Sequence, residues 1–508
     1  MINLLPENVL RLFFSEIQLQ KLLIIHDLHN YGIQVTVLER KLKVSKKKVK
    51  RAINSLQLDI ADYNDQNKKE LLLIVDKNVV HLSKNVKDED YVQLLQYIRE
   101  KYLLSSSLYN SLLFVLEQRK FTVMELANNL SYSESYTYKL LKKIESFFLI
   151  MDLGVSILKK SDKILCLSGE EVVIRLLHYL MINIISSKNS WYFQTISELQ
   201  IETIHSFVNS KRIKTFSPSN LKRVNIIMAV YEVAIRKGYV SAELPDSVKS
   251  VGRILNKEKE LPMYLTYLQK RELGEVGGLH DELIQLAFIL NYFTRELRTK
   301  NEKIVLGKEL VNNNRNKIIN PCVLLINQIC EKYTLTEDSY FLLVYSICNH
   351  FIVIHYLKLY KFMKFDKFQL RNEKTEKFIK SAIKKSFSKY YKEPSFGKLV
   401  FNFTKIIMGY VKLDTDIPVG VYVEFQRRPE YKSIVENALI HNYSANALKL
   451  VNNYKDADII ISDNYVVKTN QEYFYFRDVF DKVAWNKLGA YLNEIINKEI
   501  VRSVGFSE

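Results

Sequence analysis

The feature that most constrains the fold is a pattern of apolar residues around a serine that occurs twice, 88 residues apart. In each copy, apolar residues recur at helical spacing on both sides of a serine that is suited to cap a second helix. The first copy has Leu38, Leu42, Ser45, Ile53 and Leu56, and the second has Leu126, Leu130, Ser133, Leu141 and Ile144. Because the register is kept throughout, the repeat predicts two helix-turn-helix units in tandem.

The second helix of the first copy is predicted to have a basic outer face. With Val49 and Ile53 turned inward, the opposite side of the helix carries cations, a serine and an amide. Lys47, Lys50, Arg51 and Asn54 are predicted to face outward, flanked by Lys48 and Ser55. The predicted DNA-binding residues are Ser45, Lys46, Lys47, Lys48, Lys50, Arg51 and Asn54. A helix anchored on one side and basic on the other fits the major groove of DNA. A solvated, lysine-rich face on an ordinary helical hairpin is the alternative interpretation.

The second copy has an equivalent outer face, and both copies are followed by β-prone runs. In the second copy Ser135, Lys139 and Lys142 are predicted to face outward, with Tyr136, Tyr138 and Lys143 at the edges. The predicted DNA-binding residues are Ser133, Ser135, Tyr136, Tyr138, Lys139, Lys142 and Lys143. A hairpin directly after such a helix is the wing of a winged helix, and Leu12 to His29 is predicted as the opening helix of the first unit. At the tip of the second hairpin, Lys159 and Lys160 are placed to meet phosphates beside the groove.

Composition and charge favour a folded protein with a polyanionic partner. The 508 residues are 47% hydrophobic and 26% charged, which is ordinary for globular domains. Lys and Arg exceed Asp and Glu by 74 to 56, which gives a net charge of +18. This excess favours nucleic acid or a membrane surface as a partner, although it does not set specificity.

Enzymatic, metal-dependent and membrane functions are not expected from the sequence. The chain has no phosphate-binding loop, dinucleotide fingerprint, zinc-protease motif or nucleophile elbow, and its four cysteines lack zinc spacing. We therefore expect no cofactor, no metal and a reducing, cytoplasmic setting. The uncharged segment Ser339–Leu357 is interpreted as a buried helix, because Asn349 and two histidines would be costly in lipid.

The remainder of the chain predicts helices followed by a small α/β region. From Glu170 to about Tyr390 the pattern is helical, and the glycine-rich segment Gly274–Gly278 divides that stretch. After Gly409, β-prone runs such as Pro418–Phe425 and Asp458–Ser462 alternate with helical ones, which favours a partly parallel sheet. The predicted fold class is therefore mainly α and multidomain, with a C-terminal α/β domain.

Three motifs follow one another along the chain: the pattern LxxxLxVSxxxVxxxI, its second copy, and LSGEEVVIRLLHYL directly behind the second hairpin. In this order they resemble the Mga/AtxA family, which includes the RofA-like stand-alone virulence regulators of Gram-positive bacteria. The resemblance covers essentially the whole chain in domain order. It implies two winged helix-turn-helix domains (1–87 and 88–169), two helical phosphotransferase-regulation domains, or PRDs (170–285 and 286–408), and an enzyme IIB-like α/β domain (409–508).

The resemblance also implies a function and its control. It implies a transcriptional regulator that binds double-stranded promoter DNA and is tuned by histidine phosphorylation from the phosphotransferase system, with the phosphocarrier HPr as donor and a homodimer or higher oligomer as the assembly. The candidate phosphorylation sites are His205, His350 and His355. The chain departs from the family at its C-terminal domain. No cysteine follows Gly409, so that domain cannot carry phosphate as enzyme IIB does.

Two alternatives remain open at this point. A PRD-type antiterminator would bind RNA through an N-terminal β-sheet module, whereas residues 12–58 read as helical. A plasmid replication initiator can also carry tandem winged helices, although the long helical middle and the α/β tail argue against it.

Overall fold

The structure is a computed structural model, and it is mainly helical with three small sheets among the residues it describes. Those residues are 7–28, 32–83, 86–160, 163–186, 190–204, 213, 215–255, 279–333, 335–363, 373–410, 419–443, 448–464 and 471–503. The chain divides into two compact units, residues 1–168 with 181–190 and residues 169–180 with 191–508. The predicted mainly α, multidomain class is confirmed. The finer division into five domains stays a prediction.

The first unit alternates pairs of helices with short antiparallel sheets. Its elements are α1 (Glu7–Phe13), α2 (Glu16–Asp27), β1 (Ile33–Gln34), α3 (Val35–Leu42), α4 (Lys46–Asn67), β2 (Leu73–Asp76), β3 (Val79–Leu82), α5 (Asp88–Leu104), α6 (Ser107–Gln118), β4 (Lys120–Thr122), α7 (Val123–Leu130), α8 (Glu134–Ile150), β5 (Ser156–Lys159) and β6 (Ile164–Ser168). The strand orders are β1-β3-β2 and β4-β6-β5, so both sheets have the same topology.

The sequence repeat is also a repeat of backbone geometry. The helix pair α3 and α4 and the pair α7 and α8 begin at positions that differ by 88 residues. Each pair is joined through a residue in the left-handed conformation, Lys43 with φ 54° and Ser131 with φ 56°. The following amides, of Val44 and Tyr132, close equivalent capping bonds of 3.2 and 2.8 Å. Both turns therefore end the first helix in the same way.

The core of each repeat follows the predicted apolar positions. Leu38 and Ile53 are buried in the first copy, as are Leu126 and Leu141 in the second. Leu42 and Leu130, at the ends of α3 and α7, are only partly buried. The helical periodicity of the sequence therefore fixes the inner face of α4 and α8, and so also their outer face.

The predicted single helix over Leu12–His29 is wrong in one respect, because the structure breaks it between α1 and α2. Ser15 accepts a hydrogen bond from the Gln18 amide, while the Gln18 side chain accepts one from the Ser15 amide. This reciprocal cap satisfies the first donors of α2 and starts a new helix there. His29 lies outside the described residues.

Residues 181–190 belong to the first unit, although the sequence places them in the third predicted domain. The Tyr109 hydroxyl donates a hydrogen bond to the Met181 carbonyl oxygen. The Gln96 side-chain amide donates one to the Ser186 carbonyl oxygen at 2.9 Å. Helices α5 and α6 therefore hold this short segment through its backbone.

The second unit consists of a long helical region and a terminal α/β region. Its elements, with α9 also reaching into the first unit's residues, are α9 (Glu171–Ile185), α10 (Glu198–Ile204), α11 (Pro218–Arg236), α12 (Asp246–Leu255), α13 (Leu279–Phe293), α14 (Lys300–Asn312), α15 (Ile319–Cys330), α16 (Glu337–Phe351), α17 (Glu373–Ser386), α18 (Phe396–Tyr410), β7 (Gly420–Glu424), α19 (Tyr431–Asn442), β8 (Lys449–Leu450), β9 (Ile459–Ser462), β10 (Glu472–Tyr475) and α20 (Lys482–Ser503). The predicted division at Gly274–Gly278 lies outside the described residues.

The uncharged segment Ser339–Leu357 lies mostly in the protein core. Within the described residues, the run Glu337–Tyr356 is long and apolar enough to cross a membrane, and 72% of its most apolar window is buried inside the protein. It begins as α16 and ends in a π-helical turn, Ile352–Tyr356. Helix α14 crosses it closely, since a Cβ on Gly307 would lie 2.2 Å from the Phe341 carbonyl oxygen. The predicted burial of this segment is confirmed.

The C-terminal sheet has the order β10-β9-β7-β8, and all three of its pairings are parallel, where the sequence predicted a partly parallel sheet. Strands β7 and β9 are buried on both faces, as expected for central parallel strands. Side chains alternate along β7. Val421 and Val423 pack into the main apolar cluster, and Tyr422 packs into a smaller one on the other face.

Candidate nucleic-acid interface

The predicted DNA-binding residues lie on α4, on α8 and at the tip of the second hairpin, and every one of them is exposed to solvent. They are Ser45, Lys46, Lys47, Lys48, Lys50, Arg51, Asn54, Ser133, Ser135, Tyr136, Tyr138, Lys139, Lys142, Lys143, Lys159 and Lys160. The structure therefore brings them together as two helix faces and one hairpin tip, as the helical and strand periods require.

Helix α4 is held on its buried side by the carboxylate of Asp59. Asp59 accepts hydrogen bonds from the Lys21 ammonium of α2 at 2.5 Å, from the Lys101 ammonium of α5 at 3.0 Å, and from the Tyr102 hydroxyl. Burial opposes ionisation of Asp59, but these donors outweigh it and hold its pKa below the usual value. One side of α4 is therefore fixed by paired charge, while its other side presents cations to water.

Helix α8 is fixed differently, by its cap and by aromatic packing. The Ser133 hydroxyl accepts a hydrogen bond from the Tyr136 amide at 3.3 Å. The Tyr136 ring packs edge-on against Tyr132, with centroids 5.2 Å apart, and remains 40% exposed. Tyr138 is 54% exposed. The first turns of α8 therefore present two aromatic rings with hydroxyl groups.

The two hairpins differ at their tips. In the first, Lys77 and Asn78 both have positive φ, 45° and 67°, which matches a two-residue turn between twisted strands. In the second, the Lys160 amide bonds to the Ile164 carbonyl at 2.9 Å across the tip, and Lys159, Lys160 and Lys163 are exposed. Residues 161 and 162, between them, lie outside the described residues.

Two of the three candidate phosphorylation sites can be placed, since His205 lies outside the described residues. His350 is 4% exposed. Its Nδ1 donates to the Asn402 side-chain oxygen at 2.8 Å, and its Nε2 faces an Arg295 guanidinium nitrogen at 3.4 Å. Burial, with the Arg295 charge, lowers the pKa of His350 to about 3. The imidazole is therefore neutral at pH 7, with its lone pair toward a cation.

His355 lies in the π-helical turn and is half-buried. Its Nδ1 lies 2.7 Å from the Ser395 hydroxyl oxygen, and its ring is stacked on Phe351 at a centroid distance of 5.7 Å. Burial lowers the pKa of this imidazole also. The imidazoles of the two candidate sites, His350 and His355, are thus neutral, which is the nucleophilic form of histidine. His355 is the more exposed of the two.

The C-terminal sheet carries a feature that the sequence did not reveal. With this strand order, β7 and β9 flank the topological switch point of the parallel sheet, where the connections from the two strands run to opposite sides. In open parallel sheets, ligands commonly bind at this point, beside the carboxyl ends of the strands. In this protein the amides of Gln426 and Arg427 donate to the two oxygens of Asp463, at 2.6 and 2.9 Å. These two backbone donors at the end of β7 are therefore satisfied by the chain's own carboxylate.

A buried polar network within the second unit was also missed by the sequence. The Ser217 hydroxyl, at the start of α11, lies 2.9 Å from a Glu424 oxygen of β7. Glu296 accepts from the Lys432 ammonium of α19 at 2.8 Å and from the Asn220 amide at 3.1 Å. These contacts join the helical region to the α/β region through hydrogen-bonded charges.

No protein-family model matches the chain, and no curated protein is significantly similar to it.

Proposed function

We propose that this protein is a transcriptional regulator that binds double-stranded promoter DNA through both repeated units. The observation that carries the proposal is the repeat itself. Twice, a helix anchored on its apolar side presents an outer face of exposed Lys, Arg, Ser or Tyr residues, with a β-hairpin following it. A helix of this kind fits the major groove, and a hairpin beside it reaches the backbone. We interpret each unit as a winged helix-turn-helix.

The experiment is a fluorescence anisotropy titration of the full-length chain with a labelled duplex at several salt concentrations. The test variant combines Lys47→Gln, Arg51→Gln and Lys139→Gln. Each lost phosphate contact reduces the slope of log affinity against log salt by roughly one. We therefore expect the test variant to bind more weakly, with a salt slope lower by up to about three.

A matched control separates local contacts from net charge. The control variant combines Lys68→Gln, Lys87→Gln and Lys120→Gln, which are exposed lysines outside both helix faces and both hairpin tips. It loses the same number of charges and should keep nearly the wild-type slope. Absence of duplex binding at low salt, or equal losses in the two variants, rejects the proposal.

The helical start of the chain does not favour the antiterminator alternative. That class would open with a small β-sheet RNA-binding module, whereas residues 7–67 are mainly the helices α1 to α4. A replication initiator would share tandem winged helices. Recovery of direct repeats at a replication origin, rather than promoter sites, in a genome-wide binding map would favour it.

The helical region of the second unit is proposed to act as two PRD-like domains that control DNA binding by histidine phosphorylation, in a cytoplasmic homodimer. His355 is the better placed of the two described candidates because it is half-buried rather than enclosed. A phosphate there would add roughly two negative charges to a packed aromatic cluster, which is enough to rearrange it.

Phosphorylation is tested with phosphoenolpyruvate, enzyme I and HPr. Mass spectrometry should find acid-labile phosphate on His355, His350 or His205, and His355→Ala should remove it if His355 is the site. Light scattering before and after the reaction measures self-association. If no histidine is labelled, phosphorylation control is rejected, while the DNA-binding proposal stands on its own titration.

A further inference from the structure

The outer faces of the two repeated helices differ in chemistry at equivalent positions. The first two turns of α4 present five cations and no acid: Lys46, Lys47, Lys48, Lys50 and Arg51. The residues 88 positions later on α8 are Glu134, Ser135, Tyr136, Tyr138 and Lys139. All ten are exposed. One face is therefore a cationic surface, and the other is polar and aromatic with one acid and one base.

The two hairpins show the opposite difference. At the tip of the first, Asp76 and Lys77 offset each other, and its strands expose apolar side chains, with Val75 46% exposed. The second hairpin presents the exposed cations Lys159, Lys160 and Lys163. In the first repeat the cations are therefore on the first turns of the helix. In the second repeat they lie on the hairpin and, on α8, at Lys139, Lys142 and Lys143.

This distribution separates two kinds of DNA contact. The salt-dependent part of phosphate binding comes from cations and carries no sequence information, whereas base edges are read by hydrogen bonds and apolar contacts. A carboxylate such as Glu134 is repelled by phosphates but can accept a hydrogen bond from the cytosine amino group. Serine hydroxyls bond to base edges, and the exposed rings of Tyr136 and Tyr138 add apolar surface with a polar end.

The N-terminal turns of a groove-bound helix are the part that contacts base edges. In α8 those turns hold Glu134, Ser135 and Tyr138, and the cap at Ser133 fixes their backbone. The cations that would hold this repeat on the DNA backbone come from its hairpin and from Lys142 and Lys143, which follow those first turns on α8. In α4 the same turns are crowded with lysines, which are point charges suited to phosphates.

We propose that the two repeats divide the work of DNA binding. Helix α4 anchors the duplex through its phosphates whatever the sequence, while the first turns of α8 read the bases and the lysines of the second hairpin and of the later turns of α8 supply the backbone contacts. This inference rests on the proposed DNA-binding function and adds which unit carries sequence specificity. It identifies Ser135 and Tyr138 as specificity-determining residues.

The test uses the full-length chain, a duplex selected by it from a random pool, and a scrambled duplex of the same composition. The α4 variant combines Lys47→Gln, Lys48→Gln and Lys50→Gln, and it keeps Arg51 because an arginine can also read guanine. We expect it to lose affinity equally for both duplexes and to lower the salt slope by roughly three. The hairpin variant Lys159→Gln, Lys160→Gln, Lys163→Gln should behave in the same way, whereas Lys77→Gln should change little.

The α8 variant Ser135→Ala, Tyr138→Ala should give the opposite pattern. We expect affinity for the selected duplex to fall roughly tenfold or more while affinity for the scrambled duplex and the salt slope are kept. Both positions are exposed, and circular dichroism checks that the fold is retained; Tyr138→Phe separates the hydroxyl from the ring. Equal losses for both duplexes in the α8 variant, or a selective loss in the α4 variant, overturns the division. If wild type binds neither duplex at low salt, the proposed function itself has failed.

Discussion

The outer face of α4 in the first compact unit and the contact between α9 and α13 in the second place their charged residues in opposite ways. In the first unit, Lys47, Lys50 and Arg51 of α4 face solvent. In the second, Arg175 of α9 and Glu282 of α13 are each 1% exposed and are hydrogen-bonded to each other. Exposed charges contribute little to folding and remain available to a ligand, whereas a buried charge must be paired. The same residue types are therefore dispensable for folding in one place and required for it in the other.

The largest effect is expected from breaking the buried pair. Arg175 also donates to Glu171 at 2.9 Å and to the Tyr239 carbonyl oxygen at 2.7 Å, so its position is fixed. Glu282→Gln leaves this guanidinium enclosed without its main counter-charge and should lower the free energy of unfolding by about 3–5 kcal/mol. Both tryptophans, Trp191 and Trp485, lie in the second unit, so urea denaturation followed by tryptophan fluorescence reports on it.

A double variant serves as the control for that pair. Arg175→Met with Glu282→Leu removes both charges and keeps similar volumes, and such replacements are often close to neutral. It should therefore be more stable than Glu282→Gln alone. A single variant as stable as wild type would mean that the pair is not enclosed, and the contrast between the units would fail.

The next effect is a pH dependence at Glu424. This carboxyl is 2% exposed, and burial together with Glu296 raises its pKa to about 7, although Arg223, Ser217 and Lys432 act in the opposite sense. Because the folded state holds the proton more tightly, the stability it contributes is present below pH 4.5 and is lost as the pH rises to about 7.

The loss at Glu424 should reach about 3 kcal/mol, from 1.36 kcal/mol for each pKa unit. Glu424→Gln should remove this part of the dependence, as measured by urea denaturation at pH 5 and pH 7.5. The window avoids Glu296, whose pKa is lowered to about 2 by Lys432 against the effect of its burial. The same pH slope in wild type and variant would show that Glu424 is not the titrating group.

The contrast between the units also explains what the sequence could predict. The outer faces of α4 and α8 were predictable because exposure follows the helical period within about twenty residues. Arg175 and Glu282 are 107 positions apart, and Asp463 is 37 positions from Gln426, so no local pattern connects them. Strand order and helix packing bring such residues together, and neither can be read from the local pattern of a single sequence.

One error had a signal that was available. The break before α2 follows from Ser15 and Gln18, whose S-x-x-Q spacing is the sequence signature of a capping box. The helical period continued across it and masked the cap. By contrast, the contact between the Asp463 carboxylate, which follows β9, and the loop after β7 left no mark in the sequence beyond the missing cysteine.

An intermediate effect is expected at Asp59, the one buried acid on the inner side of α4 within the described residues. Asp59→Asn should lower the free energy of unfolding of the first unit by about 1.5–3 kcal/mol, because Lys21 keeps its charge in a buried site. The change is measured by hydrogen exchange of α4 and α5. Asp65→Asn, on the exposed side of the same helix, is the matched control and should change little. Similar losses in both variants would mean that the buried contacts of Asp59 do not anchor α4.

The smallest effect is expected at the outer face of α4. Lys47→Gln, Lys50→Gln and Arg51→Gln together should change the free energy of unfolding by less than about 0.5 kcal/mol, since none of the three side chains is buried. Thermal unfolding by circular dichroism and hydrogen exchange of α4 measure this. A loss above about 1 kcal/mol would mean that these cations hold the fold together, and weaker DNA binding in such a variant would then report unfolding. An unchanged stability, joined to a reduced salt slope, is the combination that only a surface kept for a polyanion produces.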